Sequence, residues 1–176
     1  NMLPLNTDEQ ITAIVTVPDF KSANYCTMVT QKGYIKRVSL SEFESVRPSG
    51  LIAISLEDGD MLGWVRLTSG KDDVILVTAM GRALRMKEDT VRAMGRQARG
   101  VHAISLKGDD YVTAVEISEE NGYLVVITEQ GYGKRTPLDE YPVKGRNTQG
   151  VTIFNVAKNE HVVSVARIDE DEDAWG

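Results

Sequence analysis

The sequence predicts an all-β, blade-like repeat array, and three recurring phrases carry that prediction. Gly50, Gly100 and Gly150 stand at one spacing, and each opens a similar run: Gly50-Leu-Ile-Ala-Ile-Ser-Leu56, Gly100-Val-His-Ala-Ile-Ser-Leu106 and, more loosely, Gly150-Val-Thr-Ile-Phe-Asn-Val156. A Thr-x-x-Gly turn with bases behind it recurs as Thr30 to Gly33, Thr78 to Gly81 and Thr128 to Gly131. The third phrase is apolar: Leu62-Gly-Trp-Val65, Val112-Thr-Ala-Val115 and Val162-Val-Ser-Val165, with Ile11-Thr-Ala-Ile14 as an earlier copy. A period of about 50 residues falls in the range of propeller blades and above that of leucine-rich or tetratricopeptide units.

Each unit reads as four short strands rich in Val, Ile and Leu, bounded by Gly, Asp, Asn or Ser. In the middle unit these are Leu62 to Leu67, Val74 to Thr78, the run after Gly81, and Val101 to Leu106. The unit before supplies Ile11 to Val17, Tyr25 to Thr30 and Leu51 to Leu56; the unit after supplies Val112 to Ile117, Leu124 to Thr128 and Val151 to Val156. The fourth strand alternates apolar side chains (Ile54 and Leu56, Ile104 and Leu106, Phe154 and Val156), which turns one face inward. No long segment has the 3.6-residue period of a helix; Ser41 to Val46 and Glu88 to Met94 suit single helical turns. The chain therefore reads as one repeat domain over residues 1–176. Units run 11–61, 62–111 and 112–161, with partial units at 1–10 and 162–176, so about three complete blades are expected in a fragment of a longer array.

At 41% hydrophobic the chain can bury a substantial core, no apolar run is long enough to span a bilayer, and its opening has no signal-peptide pattern. The single cysteine, Cys26, reads as a small buried hydrophobe in a reducing, cytoplasmic compartment. Net charge is −6, yet charge is segregated by repeat position. Residues 81–100 hold six bases (Arg82, Arg85, Lys87, Arg92, Arg96, Arg99) against two acids, and residues 101–120 hold one base against five acids. Residues 31–50 and 131–150 each hold four bases and two acids. Bases after a turn can simply protect a strand edge. Their recurrence in three units points instead to a positive stripe on one rim, suited to a polyanion. The aromatic residues show no recurring base-stacking pattern, and Tyr34 and Tyr132 are expected to pack across their hairpins, so duplex DNA held by its phosphates is expected over single strands.

Candidate chemistry within the chain fails on spacing. Gly131-Tyr-Gly-Lys-Arg-Thr136 lacks the first glycine and the magnesium-binding hydroxyl of a phosphate-binding loop. His102 and His161 are too dispersed to form a zinc site with Cys26, and they read as strand-face histidines. Asp58 with Asp60, and Asp109 with Asp110, read as hydrogen-bonded turns. No catalytic residue, metal or cofactor is expected in this segment. A protein-interaction propeller with solubilising rim charge is a second reading. A propeller enzyme with carboxylates on inner strands is a third, and the sequence puts its paired acids at turns.

Residues 1–14, Thr90-Val-Arg-Ala-Met-Gly-Arg-Gln-Ala-Arg-Gly-Val101, Gln130 to Thr136 and Gly145-Arg-Asn-Thr-Gln-Gly-Val151 resemble the C-terminal domain of bacterial DNA gyrase A. The resemblance covers essentially the whole chain. It implies a β-pinwheel, a propeller-like disc with strands swapped between blades, whose basic rim wraps DNA without sequence specificity. It also implies a parent type II topoisomerase that introduces negative supercoils using ATP and magnesium, with the rest of gyrase A and with gyrase B in an A2B2 holoenzyme. The family's Gln-Arg-Arg-Gly-Gly-Lys-Gly box has no match; Gly95 to Gly100 is a degenerate cousin at the equivalent position. The topoisomerase IV subunit, which has a similar domain, is the alternative. On this resemblance Lys36 and Arg37, Arg82 and Arg85, and Lys134 and Arg135 are expected on equivalent outward turns. Arg92, Arg96, Arg99, Lys144 and Arg146 are expected on the loops that follow, and all eleven are candidate phosphate contacts.

Overall fold

The computed structural model describes residues 24–44, 54–118 and 121–168. The strand expected at 11–17, the Gly50 phrase up to residue 53 and the terminal acidic run lie outside the described residues. The described part is built on three hairpins joined by Thr-x-x-Gly turns. These are β1 (Tyr25–Thr30) with β2 (Tyr34–Ser39), β4 (Asp73–Thr78) with β5 (Arg82–Lys87), and β8 (Tyr123–Thr128) with β9 (Gly133–Pro137). In the first two turns the threonine closes the chain twice. Thr30 O accepts the Gly33 N–H at 3.0 Å while its hydroxyl accepts the Tyr34 N–H at 3.1 Å, and Thr78 does the same for Gly81 and Arg82 at 3.0 and 3.2 Å. Gly33, Gly81 and Gly131 take φ of +86°, +81° and +85°, the left-handed region that glycine enters without steric cost.

The sequence-consecutive unit is not the sheet. β3 (Leu62–Thr68) pairs antiparallel with β1, and β6 (Val101–His102) pairs with β2, so the middle unit gives its first and last strands back to the preceding hairpin. Likewise β7 (Val112–Ser118) pairs with β4 and β10 (Val151–Thr152) with β5. The resulting sheets run β3-β1-β2-β6 and β7-β4-β5-β10, and β11 (Val162–Ile168) joins β8 and β9 in a third. The strand expected from Val101 to Leu106 stops pairing with its sheet after His102. Ala103 then donates to Gly33 O at 2.8 Å, and Ile104 bridges Thr148. The expected helical turns are short 3-10 turns at Leu40–Phe43 and Glu88–Thr90, and Leu138–Glu140 adds a third.

Strand alternation assigns each side chain to one of two interfaces. From β4, Val74 and Leu76 pack with Val29 and Ile35 of the first hairpin, while Ile75 and Val77 pack with Leu124 and Val126 of the third. Every residue of β4 is buried, and each full Val, Ile or Leu burial contributes about 1.5–3 kcal/mol. Cys26, Met28, Val38 and Leu40 form a third cluster on the other face of the first sheet. The inward face expected of the fourth strand holds for buried Ile104, but Leu56 is exposed.

The fifty-residue glycine period has a steric cause. Gly100 and Gly150 stand where the returning chain crosses the preceding hairpin, and a Cβ there would lie 2.5 Å from Ile35 O and 2.2 Å from Ala83 O. By contrast, a Cβ on Gly145 would meet nothing within 4 Å. Gly150→Ala is therefore expected to lower urea-unfolding stability by more than about 1–2 kcal/mol, the left-handed backbone cost alone, with Gly145→Ala close to neutral. Equal effects of the two would contradict the crossing as the origin of the period.

Candidate nucleic-acid interface

The bases behind the hairpin turns lie within strands, and in the first two sheets they are structural. Lys36 and Arg37, expected on an outward turn, are buried in β2. The Arg37 guanidinium sits 4.2 Å from the Tyr25 ring centroid and donates to Glu88 Oε1 at 3.2 Å. Its repeat equivalent Arg85 donates to Asp73 Oδ2 at 2.7 Å and to Leu138 O at 2.8 Å. In the third sheet the equivalent Arg135 lies 3.9 Å from the Tyr123 ring centroid, and it is exposed, as is Lys134, whose Nζ donates to Ile153 O at 3.0 Å. One rule covers the three arginines: each reaches diagonally to the first residue of the neighbouring strand, Tyr25, Asp73 or Tyr123. The outward placement expected of Lys36, Arg37 and Arg85 is thus corrected, because the loops that run back along the sheets, at Ala93 to Ala98 and at Val143, and groups of the neighbouring units cover those positions. Arg82 is half-buried and donates to Gln149 O at 2.7 Å, Gly150 O at 3.1 Å and Thr152 Oγ1 at 3.3 Å.

The loops that follow the hairpins form a surface band. Each runs back along the preceding sheet: Met94 donates to Arg37 O and Lys144 to Arg85 O, both at 2.9 Å. Successive loops are also stitched to the next segment, Ser55 N–H to Ala98 O at 3.2 Å and Ser105 N–H to Thr148 O at 2.8 Å. On this band Arg92, Arg99 and Lys144 are exposed and Arg96 and Arg146 half-exposed. Arg96 and Arg99 approach Glu42 and Glu57 at 4.0 and 3.8 Å. The Arg99–Glu57 pair is exposed and contributes about 0–1 kcal/mol, so that guanidinium can exchange it for a phosphate, whereas the Arg96 Nε that faces Glu42 is itself buried. Arg146 folds back, donating to Thr90 O at 3.3 Å and His102 O at 3.2 Å.

Residues that sequence reasoning passed over complete the picture. Glu88 is fully buried where the other repeats have Leu40 and Leu138, and that mismatch was its only signal. Its carboxylate accepts from Arg37, from Thr68 Oγ1 at 3.1 Å and from the Asp72 N–H at 3.1 Å, which ties two sheets together. Burial raises its carboxyl above the ordinary value, against the hydrogen bonds from Thr68, Arg37 and Asp72. Glu116 on β7 is also raised by burial, opposed by Arg66 and Arg167. Asp60 Oδ1 accepts the Lys32 and Met61 N–H groups at 2.9 and 2.8 Å, and Asp110 Oδ1 those of Met80 and Tyr111 at 3.0 and 2.9 Å, so these acids pin the hairpin turns. Burial pushes the Cys26 thiol up to about 11, which keeps it protonated and inert. His102 lies on β6 and stacks on Tyr34 with centroids 4.4 Å apart, whereas Tyr132, expected to pack across its hairpin, is 63% exposed.

The profile of the DNA gyrase C-terminal domain, a beta-propeller, matches residues 24–69, 72–119 and 122–169. The chain belongs to the DNA gyrase C-terminal domain family. Members similar to it include the DNA gyrase A protein of Synechocystis, 48% identical over 102 residues, and that of Salmonella typhimurium, 48% identical over 101. Each alignment covers 57% of this chain and 12% of the relative, so the chain spans a small part of the curated relatives it matches. Among solved structures, the C-terminal domain of DNA topoisomerase IV superposes with a TM-score of 0.86 at 29% identity, over 96% of this chain and 53% of that one. The DNA gyrase A C-terminal domain superposes at 0.64 and 19% identity, over 93% and 72%, a likeness of fold. The strand exchange between repeats is the pinwheel feature that the family resemblance implied. Among the described residues of this family member, no helix is long and apolar enough to cross a membrane.

Glu88 gives this chain's stability a pH signature. Its folded-state carboxyl holds a proton more tightly than the unfolded one, so stability falls as pH rises from about 4.5 through the raised folded value. Glu116 acts in the same direction. Glu88→Gln is expected to flatten the decline of unfolding free energy above pH 4.5; an unchanged pH slope would remove Glu88 as a source.

Proposed function

We propose that this chain binds duplex DNA through its loop band, as part of the C-terminal domain of a DNA gyrase A protein. The observation that carries the reading is the division of labour among the bases. Lys36, Arg37 and Arg85 are committed to joining strands and sheets, while Arg92, Arg96, Arg99 and Lys144 ride on successive loops with weak carboxylate partners or, among the described residues, none. Rigid sheets hold these charges along a line, so contacts to phosphates can offset the cost of bending a duplex that follows them. Such binding is electrostatic and indifferent to sequence. Lys134 and Arg135 of the third hairpin, exposed on β9, are further candidate contacts, and Arg82 and Arg146 hold loop backbone.

The relatives at 48% identity are DNA gyrase A proteins, which favours a parent that supercoils DNA with ATP and magnesium, together with gyrase B in an A2B2 assembly in the cytoplasm. This segment supplies DNA handling and no catalytic group. The closer superposition on the topoisomerase IV domain favours a second reading, in which the same band belongs to the C-terminal domain of a topoisomerase IV subunit.

The test is binding of a linear random-sequence duplex across a salt series. A triple variant, Arg92→Ala with Arg99→Ala and Lys144→Ala, is expected to lower the log–log salt slope by about 2–3, at about 0.9 per lost phosphate contact, with unfolding stability unchanged. Arg85→Ala is expected to act the other way, reducing stability and leaving the slope nearly intact. Salt-insensitive binding, or an unaltered slope in the triple variant, would sink the assignment.

A further inference from the structure

Two equivalent basic loops on this surface are fastened by different means. Lys36 is fully buried in β2, and its Nζ donates to the Arg96 carbonyl and, at 2.9 Å, to the Ala98 carbonyl of the next repeat. An ammonium has three donors, and directing two of them at carbonyls two residues apart fixes the Arg96–Gln97 and Ala98–Arg99 peptide planes. Ser55 closes the loop from the other side, through its hydroxyl to Gln97 O at 2.5 Å and its N–H to Ala98 O at 3.2 Å. The loop backbone is therefore held without using a single arginine of its own.

In the next repeat the position of Lys36 is taken by Leu84, which joins the apolar core. The corresponding loop is fastened by guanidiniums: Arg82 holds the carbonyls of Gln149 and Gly150, and Arg146 turns back to those of Thr90 and His102. Where the lysine is present, the loop arginines stay available; where it is absent, arginines do the holding. A buried ammonium is costly unless its donors are satisfied, which ties the burial of Lys36 to the loop conformation it grips. Lys36 faces the Cys26 thiol from β1 and the Arg96 guanidinium from the loop; burial and Arg96 push its ammonium down to about 8, against Cys26.

We propose that Lys36 is a positioning residue for duplex binding: by gripping the Arg96 and Ala98 carbonyls it sets the loop from Gly95 to Gly100 so that Arg96 and Arg99 can meet phosphates. Lys36 itself makes no contact with DNA. The proposal rests on the duplex-binding reading above, and its test separates the two.

Four forms of the full chain are compared with the unaltered one on a random-sequence duplex across salt: Lys36→Met, Lys36→Arg, the double variant Arg96→Ala with Arg99→Ala, and that double variant carrying Lys36→Met. Lys36→Met is expected to lower the salt slope by up to the amount lost in the double variant, at most about 1.8 for two contacts, and to add nothing to the double variant. Lys36→Arg, which keeps donors for the carbonyls, is expected to restore most of the slope. Hydrogen exchange of the amides of residues 96–100 is expected to quicken in Lys36→Met. A further loss of full size in the combined variant, or an unaltered slope with unaltered exchange in Lys36→Met, would overturn the positioning role. Should Lys36→Met not fold, the Lys36 ammonium resonance of the unaltered chain decides: slow proton exchange supports the grip, and rapid exchange overturns it. Absence of salt-dependent duplex binding in the unaltered chain would overturn the functional reading, while the exchange measurements would still report on the grip.

Discussion

The return of each repeat's outer strands to the preceding hairpin is the constraint on which the rest of the structure depends. A lone hairpin such as β4–β5 has two open edges and two apolar faces, and is marginal by itself in water. β7 closes one edge and begins to close the other by leading the chain on to β10, so both edges of one unit are completed by the next. Backbone groups of β2 and β5 are satisfied by residues more than sixty positions away. Stability is thereby shared between neighbours, as expected for a quasi-one-dimensional array. The crossing also explains why glycine recurs where it does: Gly100 and Gly150 are backbone-to-backbone contacts, and a side chain has no room there.

Enclosure by the returning chain decides the electrostatics. Bases just behind the first two turns fall under the next unit and must find partners in a poorly hydrated setting, so Arg37 is drawn to Glu88, Arg85 to Asp73, and Lys36 to loop carbonyls. Breaking the buried Arg37–Glu88 pair by removing Glu88 is expected to cost about 3–5 kcal/mol, because the Arg37 charge is then left unpaired. Bases a few residues later ride on the loops above the exchange and stay wet. The same sequence feature, a cluster of Lys and Arg after a turn, therefore splits into a structural half and a surface half at the point where the chain leaves the strand.

Much of the fold was legible in the sequence. The Thr-x-x-Gly turns, the short Val- and Ile-rich strands and the glycine period led to an all-β array of blades, because turn chemistry and alternation are local properties. Residue patterns within one unit carried no sign of which unit a strand would pair with; only the family resemblance supplied the exchange. The site was less legible for the same reason. Arg92, Arg99 and Lys144 are on the surface as expected, but whether Lys36 or Arg85 is exposed depends on strands that arrive from elsewhere. Glu88 was readable only as a charged residue standing where Leu40 and Leu138 stand, a signal that marks a buried partner once Arg37 is known to face it.

The most direct measurement is a map of backbone amide shifts during titration with a short duplex. Perturbations are expected to concentrate at residues 92–100 and 143–149, with the hairpin interiors around Lys36 and Arg85 shifting little. Perturbations centred on the acid-pinned turns at 57–60 and 107–110, with the two loops unmoved, would contradict it.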